Sequence, residues 1–175
     1  MPFAITLRFD PASSSRIEDL WHVLAAEDID TDRHDLGYAA HITLAIYPDG
    51  TAEDRLHTAC THVAESWRHH AVTLGGIGVF PGVSSILWAF PVVTRDLLAL
   101  HASLVGALPD LPVHPHYRPG AWIPHVTLTG ALPDPSAALK SLLAHWHPIT
   151  GELSQVDLVR FRPVEVLQSR SLASV

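Results

Sequence analysis

The sequence predicts an α+β fold made of two similar lobes. Two observations lead to this prediction. Strand-like and helix-like segments follow one another in roughly the same order in each half of the chain. The tetrapeptide H-I-T-L at residues 41–44 also recurs as H-V-T-L at residues 125–128, about half a chain length later. We therefore expect residues 1–175 to form one bilobal domain that arose by internal duplication.

The first half is expected to run in the order strand, helix, motif strand, helix, strand. Apolar and polar residues alternate over residues 3–9, which is typical of a strand. The sequence S-R-I-E at residues 15–18 resembles a capping box and predicts the start of a helix. After an Asp-rich loop, a second strand is predicted over residues 41–46. Apolar residues then recur at helical spacing from Leu56 to Trp67, which predicts the second helix.

The second half is predicted to repeat roughly the same order. The strands expected after the second helix cover residues 72–80, 86–90, 125–129, 153–161 and 164–170. Thr94 is expected to cap a third helix, and Asp134 with Pro135 is expected to begin a fourth. A Pro- and His-rich loop over residues 109–124 leads from the third helix to the second copy of the tetrapeptide.

Composition limits the possible partners of the protein. The formal net charge is −7, with 18 acidic and 11 basic residues, whereas proteins that grip long nucleic acids present a basic surface. A small anionic ligand in a local pocket is therefore expected, and not a long duplex. The single cysteine, Cys60, cannot form an internal disulfide and favours a reducing cytoplasm. No segment approaches the roughly 20 apolar residues of a membrane span, so we expect a cytoplasmic monomer without membrane contact.

The repeated tetrapeptide carries the residues that point to chemistry. Side chains alternate faces along a strand, so His41 and Thr43 share one face, opposite the aliphatic residues that separate and follow them. The same holds for His125 and Thr127. If the two halves face each other across one cleft, two imidazoles and two hydroxyls would surround a single ligand.

This set of groups suits the cleavage of a phosphodiester. Histidine has an ordinary pKa of about 6.5, so one imidazole can accept a proton while the other, protonated, donates one to the leaving oxygen. The threonine hydroxyls can donate hydrogen bonds to the non-bridging phosphate oxygens, where charge must be stabilised. Other histidine pairs, such as His114 and His116, lack carboxylate or cysteine partners at metal-ligand spacing, so no metal or cofactor is expected.

Residues near the motifs are candidates for substrate binding. Tyr117, Arg118 and Trp122 lie in the loop before the second motif, and Tyr47 follows the first. Arg118 is a candidate to contact a phosphate or ribose, with a solvated position in the loop as the equal alternative, and the aromatic residues are candidates to stack on a base. Trp88 alternates with apolar neighbours, and a core position is favoured for it.

The paired motifs resemble those of the two-histidine (2H) phosphoesterases, a superfamily that includes 2′-5′ RNA ligases and cyclic nucleotide phosphodiesterases. The resemblance implies a bilobal α+β fold with two antiparallel sheets lining a central cleft and helices outside, and a small nucleotide or RNA end as the substrate. It implies catalytic roles for His41 and His125, phosphate binding by Thr43 and Thr127, and no need for a metal. It also implies a reaction that opens a 2′,3′-cyclic phosphate to a 2′-phosphate, or makes or breaks a 2′-5′ linkage. Two alternatives stay open, namely a non-catalytic binder of small phosphorylated ligands and a phosphodiesterase with a non-RNA substrate.

Overall fold

An antiparallel sheet of seven strands organises residues 1–174, which a computed structural model of the chain describes. The strands are β1 (Phe3–Phe9), β2 (His41–Tyr47), β3 (His70–Phe80), β4 (Ile86–Pro91), β5 (Val126–Thr127), β6 (Ile149–Arg160) and β7 (Glu165–Ser171). The helices are α1 (Pro11–Ala26), α2 (Asp32–Asp35), α3 (Glu53–Ser66), α4 (Arg95–Gly106) and α5 (Ser136–His145), with a short 3-10 turn at Pro115–Tyr117. The α+β class predicted from the sequence is therefore confirmed.

The strands form one continuous path in the order β2-β1-β6-β3-β4-β5, and β7 pairs with β6 beside it. The long strand β3 makes this continuity possible. Its first part, residues 70–74, pairs with β6, and its second part, residues 74–80, pairs with β4. The prediction of two separate sheets is not confirmed, because β3 belongs to both halves at once.

The two ends of the path meet. The terminal strands β2 and β5 approach each other to within 8 Å between Cα atoms, although no backbone ladder joins them. Strand twist accumulates across a sheet, and here it brings the first and last strands of the path together. The first tetrapeptide lies on β2, and β5 forms the middle of the second, so the curvature of the sheet is what brings the two motifs into one place.

Helix α1 begins earlier than the sequence predicts. Its N-cap is Asp10, whose carboxylate accepts hydrogen bonds from the backbone N–H groups of Ala12 and Ser13, both at 3.0 Å, and Pro11 occupies the first turn. The expected capping box at residues 15–18 lies inside the helix. Glu18 has another use there, since it accepts a hydrogen bond at 3.1 Å from the backbone N–H of Ala40, next to the first motif.

Strand β5 is shorter than predicted. It covers only two residues instead of the expected 125–129. Beyond it, the side chain of Thr129 takes the place of a backbone acceptor opposite β4. The fully buried Thr129 accepts a hydrogen bond from the backbone N–H of Leu87 at 2.9 Å. The backbone N–H groups of Leu128 and Thr129 both donate to the Leu87 carbonyl, which anchors the second motif to β4.

No helix within residues 1–174 is both long and apolar enough to cross a bilayer.

Candidate active site

The four motif side chains line a single cavity of about 170 Å³. His41 and Thr43 reach it from β2, and His125 and Thr127 reach it from the other end of the sheet. The aliphatic residues that alternate with them are buried in the core, as the strand periodicity predicted. The structure therefore brings together the two histidines and two threonines that the sequence singled out. Tyr117 borders the same cavity.

A β-bulge in the first motif strand decides which further residues face the cavity. The pairing of β1 with β2 shifts register so that Thr43 lies opposite Thr6 and Ala45 lies opposite Ile5, which leaves Leu44 as the extra residue. Beyond the bulge the alternation is inverted, so that Ile46 lines the cavity.

The prediction that Tyr47 contacts the substrate is contradicted. The inverted alternation turns Tyr47 into the core, where it is fully buried and its hydroxyl has no hydrogen-bond partner. Burial raises the pKa of Tyr47 to about 12. Its role is therefore packing at the end of β2.

The two histidines are held in the same way. In each, Nδ1 lies 2.8 Å from the backbone carbonyl of the residue two positions earlier, Ala39 for His41 and Ile123 for His125. A carbonyl oxygen can only accept, so Nδ1 carries the proton in both neutral rings. Nε2 is then the nitrogen left with a free lone pair, and it is the atom available for proton transfer at the cavity.

Burial disfavours the charged form of both imidazoles. It lowers the pKa of His41 to about 4, even though the hydrogen bond to Ala39 acts in the opposite direction. Burial lowers the pKa of His125 as well, opposed by its bond to Ile123. Both rings are consequently neutral near pH 7 when no anion is bound. An anionic ligand between them would favour protonation of one ring, because an opposite charge stabilises the imidazolium.

Comparison with known proteins identifies the family. The sequence profile of the 2′-5′ RNA ligase superfamily matches residues 9–165. The chain belongs to this superfamily. The relationship to the 2H phosphoesterases that the motifs indicated is therefore confirmed.

Solved structures share the fold at low sequence identity. TT0787 of Thermus thermophilus has a TM-score of 0.67 and 15% identity, with 99% of each chain covered. Escherichia coli LigT complexed with 3′-AMP has a TM-score of 0.55 and 16% identity, covering 97% of this chain and 96% of that one. Usb1 of Kluyveromyces marxianus has a TM-score of 0.55 and 12% identity, covering 98% and 97%. No curated protein matches the chain.

In this 2′-5′ RNA ligase superfamily chain, two tryptophans brace the motif strands reciprocally. The indole N–H of Trp122 donates to the backbone carbonyl of Thr43 at 3.0 Å, and that of Trp21 donates to the carbonyl of Thr127 at 3.3 Å. Each donor comes from the half of the chain opposite to the motif it holds. Because β2 and β5 end the sheet path, the braces give backbone partners to edge strands that would otherwise lack them.

Trp122 lines an apolar cavity next to the histidine cavity, so the stacking role expected from the sequence stays a prediction. It is buried, and one face of its ring stacks on His101 with the ring centroids 4.0 Å apart. Of the two positions considered for Arg118, the structure shows the solvated one, since this residue is exposed and lines neither the histidine cavity nor its neighbour. Tyr117 is the loop residue that reaches the site. Burial raises the pKa of Tyr117 to about 12, so its hydroxyl, beside Thr43, stays protonated as a donor.

A second, larger cavity of about 480 Å³ adjoins the first and shares Tyr117 and His125 with it. Its wall is mostly apolar and includes Phe80, whose ring meets His125 edge-on at 5.0 Å between centroids. Trp88, expected in the core, is only partly buried and stacks on Phe80 at 4.7 Å. Gly78 allows this arrangement, since a Cβ there would lie 2.6 Å from the indole.

A buried polar network lies behind His41. The ring of Tyr38 packs against His41 with centroids 4.8 Å apart, and its hydroxyl donates to the carboxyl of Asp157 at 2.8 Å. Burial raises the pKa of Tyr38 far above its usual range, so the hydroxyl keeps its proton. Asp157 is fully buried and also accepts from Ser169. The network fixes the surface on which the His41 ring rests.

Two arginines that the sequence analysis did not single out also line the histidine cavity. They are Arg33, from the short helix α2, and Arg162, from the turn between β6 and β7. Both pair with the carboxylate of Asp32. Among residues 1–174, no three His, Cys, Asp or Glu side chains come together as a set of metal ligands.

Proposed function

We propose that the protein is a metal-independent phosphoesterase that opens a 2′,3′-cyclic phosphate of a nucleotide or RNA end to a 2′-phosphate. The observation that carries the proposal is the matched pair of imidazoles around one cavity, each with Nδ1 tied to a carbonyl and Nε2 free. Membership of the 2′-5′ RNA ligase superfamily supports phosphoester chemistry in general. A 2′-5′ phosphodiester is the related substrate that the same groups would cleave.

In the proposed reaction a water molecule attacks phosphorus and the bond from phosphorus to the 3′-oxygen breaks. His41, whose pKa is lowered to about 4, is neutral and accepts the proton of the attacking water at Nε2. His125 is protonated once the anionic phosphate is bound, and its Nε2–H donates to the leaving 3′-oxygen. Each such proton transfer contributes about 10²–10⁴-fold to the rate.

The remaining groups bind the substrate. Thr43 and Thr127 donate to the non-bridging phosphate oxygens, where charge grows in the transition state. The apolar cavity beside His125 has room for a base, with the Phe80 ring as a stacking surface. The structure of E. coli LigT with 3′-AMP supports a nucleotide as the ligand class. We further propose that the chain acts as one bilobal domain in the cytoplasm, in keeping with a buried free thiol at Cys60.

The decisive experiment uses EDTA-treated protein and the four nucleoside 2′,3′-cyclic monophosphates, with products separated from both phosphate isomers by chromatography. Formation of the 2′-phosphate is expected, and His41→Ala or His125→Ala should reduce turnover by about 10²–10⁴-fold. His62→Ala, an exposed histidine on α3, is the matched control and should keep wild-type turnover. A loss below tenfold in either cavity variant would contradict the proposed mechanism.

Failure to turn over any of the four substrates would favour a longer RNA end as the substrate, or one of the two alternatives. A phosphodiesterase acting on a non-RNA substrate would be detected by a broader panel of cyclic and linear phosphodiesters. A non-catalytic binder would show a raised melting temperature with a nucleotide and no product.

A further inference from the structure

The histidine cavity has a charged part that the proposed reaction does not use. Arg33 and Arg162 border this cavity, and neither borders the apolar cavity next to it. Within residues 1–174, they are the only arginine, lysine or carboxylate side chains that line it. A protein of net charge −7 therefore places two arginines in the wall of the cavity where its two histidines meet.

The two guanidinium groups are held in place by one carboxylate. Arg162 donates to both oxygens of Asp32, from Nη1 at 2.8 Å and from Nη2 at 3.1 Å. Arg33 donates to Oδ2 of Asp32 through Nε at 2.8 Å and also through Nη2. These bonds, with that from Arg162 the strongest, lower the pKa of Asp32 to about 2, so the carboxylate stays ionised. Asp32 itself does not line the cavity, and two positive charges face one negative charge.

Linking helix α2 to the turn after β6 does not require both arginines. A single bidentate pair between Asp32 and Arg162 would already tie helix α2 to the turn after β6. The second guanidinium adds a positive charge whose side chain is only 11% exposed and which borders the site. A guanidinium has five N–H groups, and each arginine uses two of them on Asp32, so the remaining N–H groups can donate to a phosphate. Orienting such groups in advance reduces the entropy lost when an anion binds.

We infer that Arg33 and Arg162 form a subsite for a second phosphate group of the substrate. The inference rests on the proposed function and specifies its substrate class: a 2′,3′-cyclic phosphate that carries another phosphate one ribose away. A 5′-phosphorylated cyclic nucleotide and the 3′ end of an oligonucleotide share this chemistry. A bare nucleoside 2′,3′-cyclic monophosphate lacks it and is the poorer substrate.

The test compares kcat/KM for three substrates of the same base: the bare cyclic monophosphate, its 5′-phosphorylated form, and a dinucleotide ending in the cyclic phosphate. At least one of the two larger substrates is expected to exceed the bare one by about tenfold or more, the effect of one charge-assisted hydrogen bond. Whichever is preferred identifies the source of the second phosphate. Equal kcat/KM for all three would overturn the inference while leaving the proposed function intact.

Variants test whether the arginines cause the preference. Arg162→Gln should bring the ratio of kcat/KM values close to one, and Arg162→Lys, which keeps the charge without the planar fork, should give an intermediate ratio. Arg95→Gln, at an exposed arginine on α4, is the matched control and should keep the wild-type ratio. Because the Arg162 side chain is 54% exposed, the glutamine variant is expected to fold, and its melting temperature checks this. A wild-type ratio in Arg162→Gln would overturn the assignment.

Binding separates failure of the subsite from failure of the proposed reaction. Calorimetry with a nucleoside 2′-monophosphate and the corresponding 2′,5′-bisphosphate needs no turnover. Tighter binding of the bisphosphate, lost in Arg162→Gln, would support the subsite even if none of the cyclic substrates were cleaved. Equal binding of the two nucleotides would overturn the subsite whether or not the cyclic phosphates are hydrolysed.

Discussion

Replacing Asp157 by asparagine removes one acceptor from a fully buried network without changing the size of the side chain. Oδ2 of Asp157 accepts from the Tyr38 hydroxyl at 2.8 Å, and the Arg8 guanidinium lies 3.4 Å from the same oxygen. An amide nitrogen in place of one carboxyl oxygen cannot accept, so a buried donor loses its partner or the network must rearrange. A hydrogen bond to a carboxylate contributes about 1.5–3 kcal/mol, and the long contact to the partly exposed Arg8 adds little.

We therefore expect Asp157→Asn to lower the free energy of unfolding by about 2 kcal/mol. For a chain of this length, that corresponds to a fall of about 4–8 °C in melting temperature. Urea unfolding followed by tryptophan fluorescence at pH 7 measures it. Asp110→Asn, at a side chain that is 80% exposed, is the control and should change stability by less than about 0.5 kcal/mol.

A double-mutant cycle tests whether the loss comes from the bond to Tyr38. Tyr38→Phe keeps the ring that packs against His41 and removes only the hydroxyl. Because both single variants break the same bond, the double variant should be more stable than the sum of the two losses predicts, by about 1 kcal/mol. Additive losses, or an Asp157→Asn effect below about 0.5 kcal/mol, would refute this account of the network.

Three further predictions concern the cavity and the strands around it. Burial lowers the pKa of His41 from 6.5 to about 4 on folding, so the unfolded chain binds the additional proton between these values and stability falls as the pH falls from about 6.5 to about 4. His41→Gln should thus lose less stability than wild type between pH 7 and pH 5 in urea unfolding, and equal losses would exclude this cause. Trp122→Phe removes the donor to the Thr43 carbonyl and should lower the free energy of unfolding by about 1 kcal/mol together with kcat, whereas unchanged kcat would mean that the brace does not position the motif. Gly78→Ala places a methyl group against Trp88 and should destabilise by about 1–3 kcal/mol in thermal unfolding, with no loss expected only if the indole can move aside.

The residues that the sequence placed correctly are those governed by short-range rules. His41 and Thr43 share a face because strand side chains alternate, and the tetrapeptide is too short for an irregularity to intervene. Simple alternation would also place Tyr47 on the face of His41 and Thr43. Tyr47 was placed wrongly because the extra residue at Leu44 inverts the pattern, and nothing in the apolar pattern of β2 marks a bulge.

Other parts of the site depend on pairings between distant residues. Arg162 meets Asp32 across most of the chain, and Tyr38 meets Asp157 in the same way, so no local motif indicates either contact. Trp122 lies in the loop before the second motif, which made a stacking role reasonable. Trp122 is buried because its ring stacks on His101 of α4 and its indole N–H donates to the Thr43 carbonyl of β2. Only the folded chain brings these two groups near the tryptophan.

The continuity of the sheet makes the separation of the two imidazoles a property of the whole molecule. His41 stands at one end of a hydrogen-bonded path and His125 at the other, and five strand pairings lie between the end strands. Each pairing has its own twist, and small changes in the twist angle at every pairing add up at the two ends of the path. The distance between the two histidines across the cleft therefore depends on β6 and β3, in the middle of the path, as much as on the residues that face the ligand. Substitutions that loosen this middle region would change the rate of a reaction whose atoms they never touch.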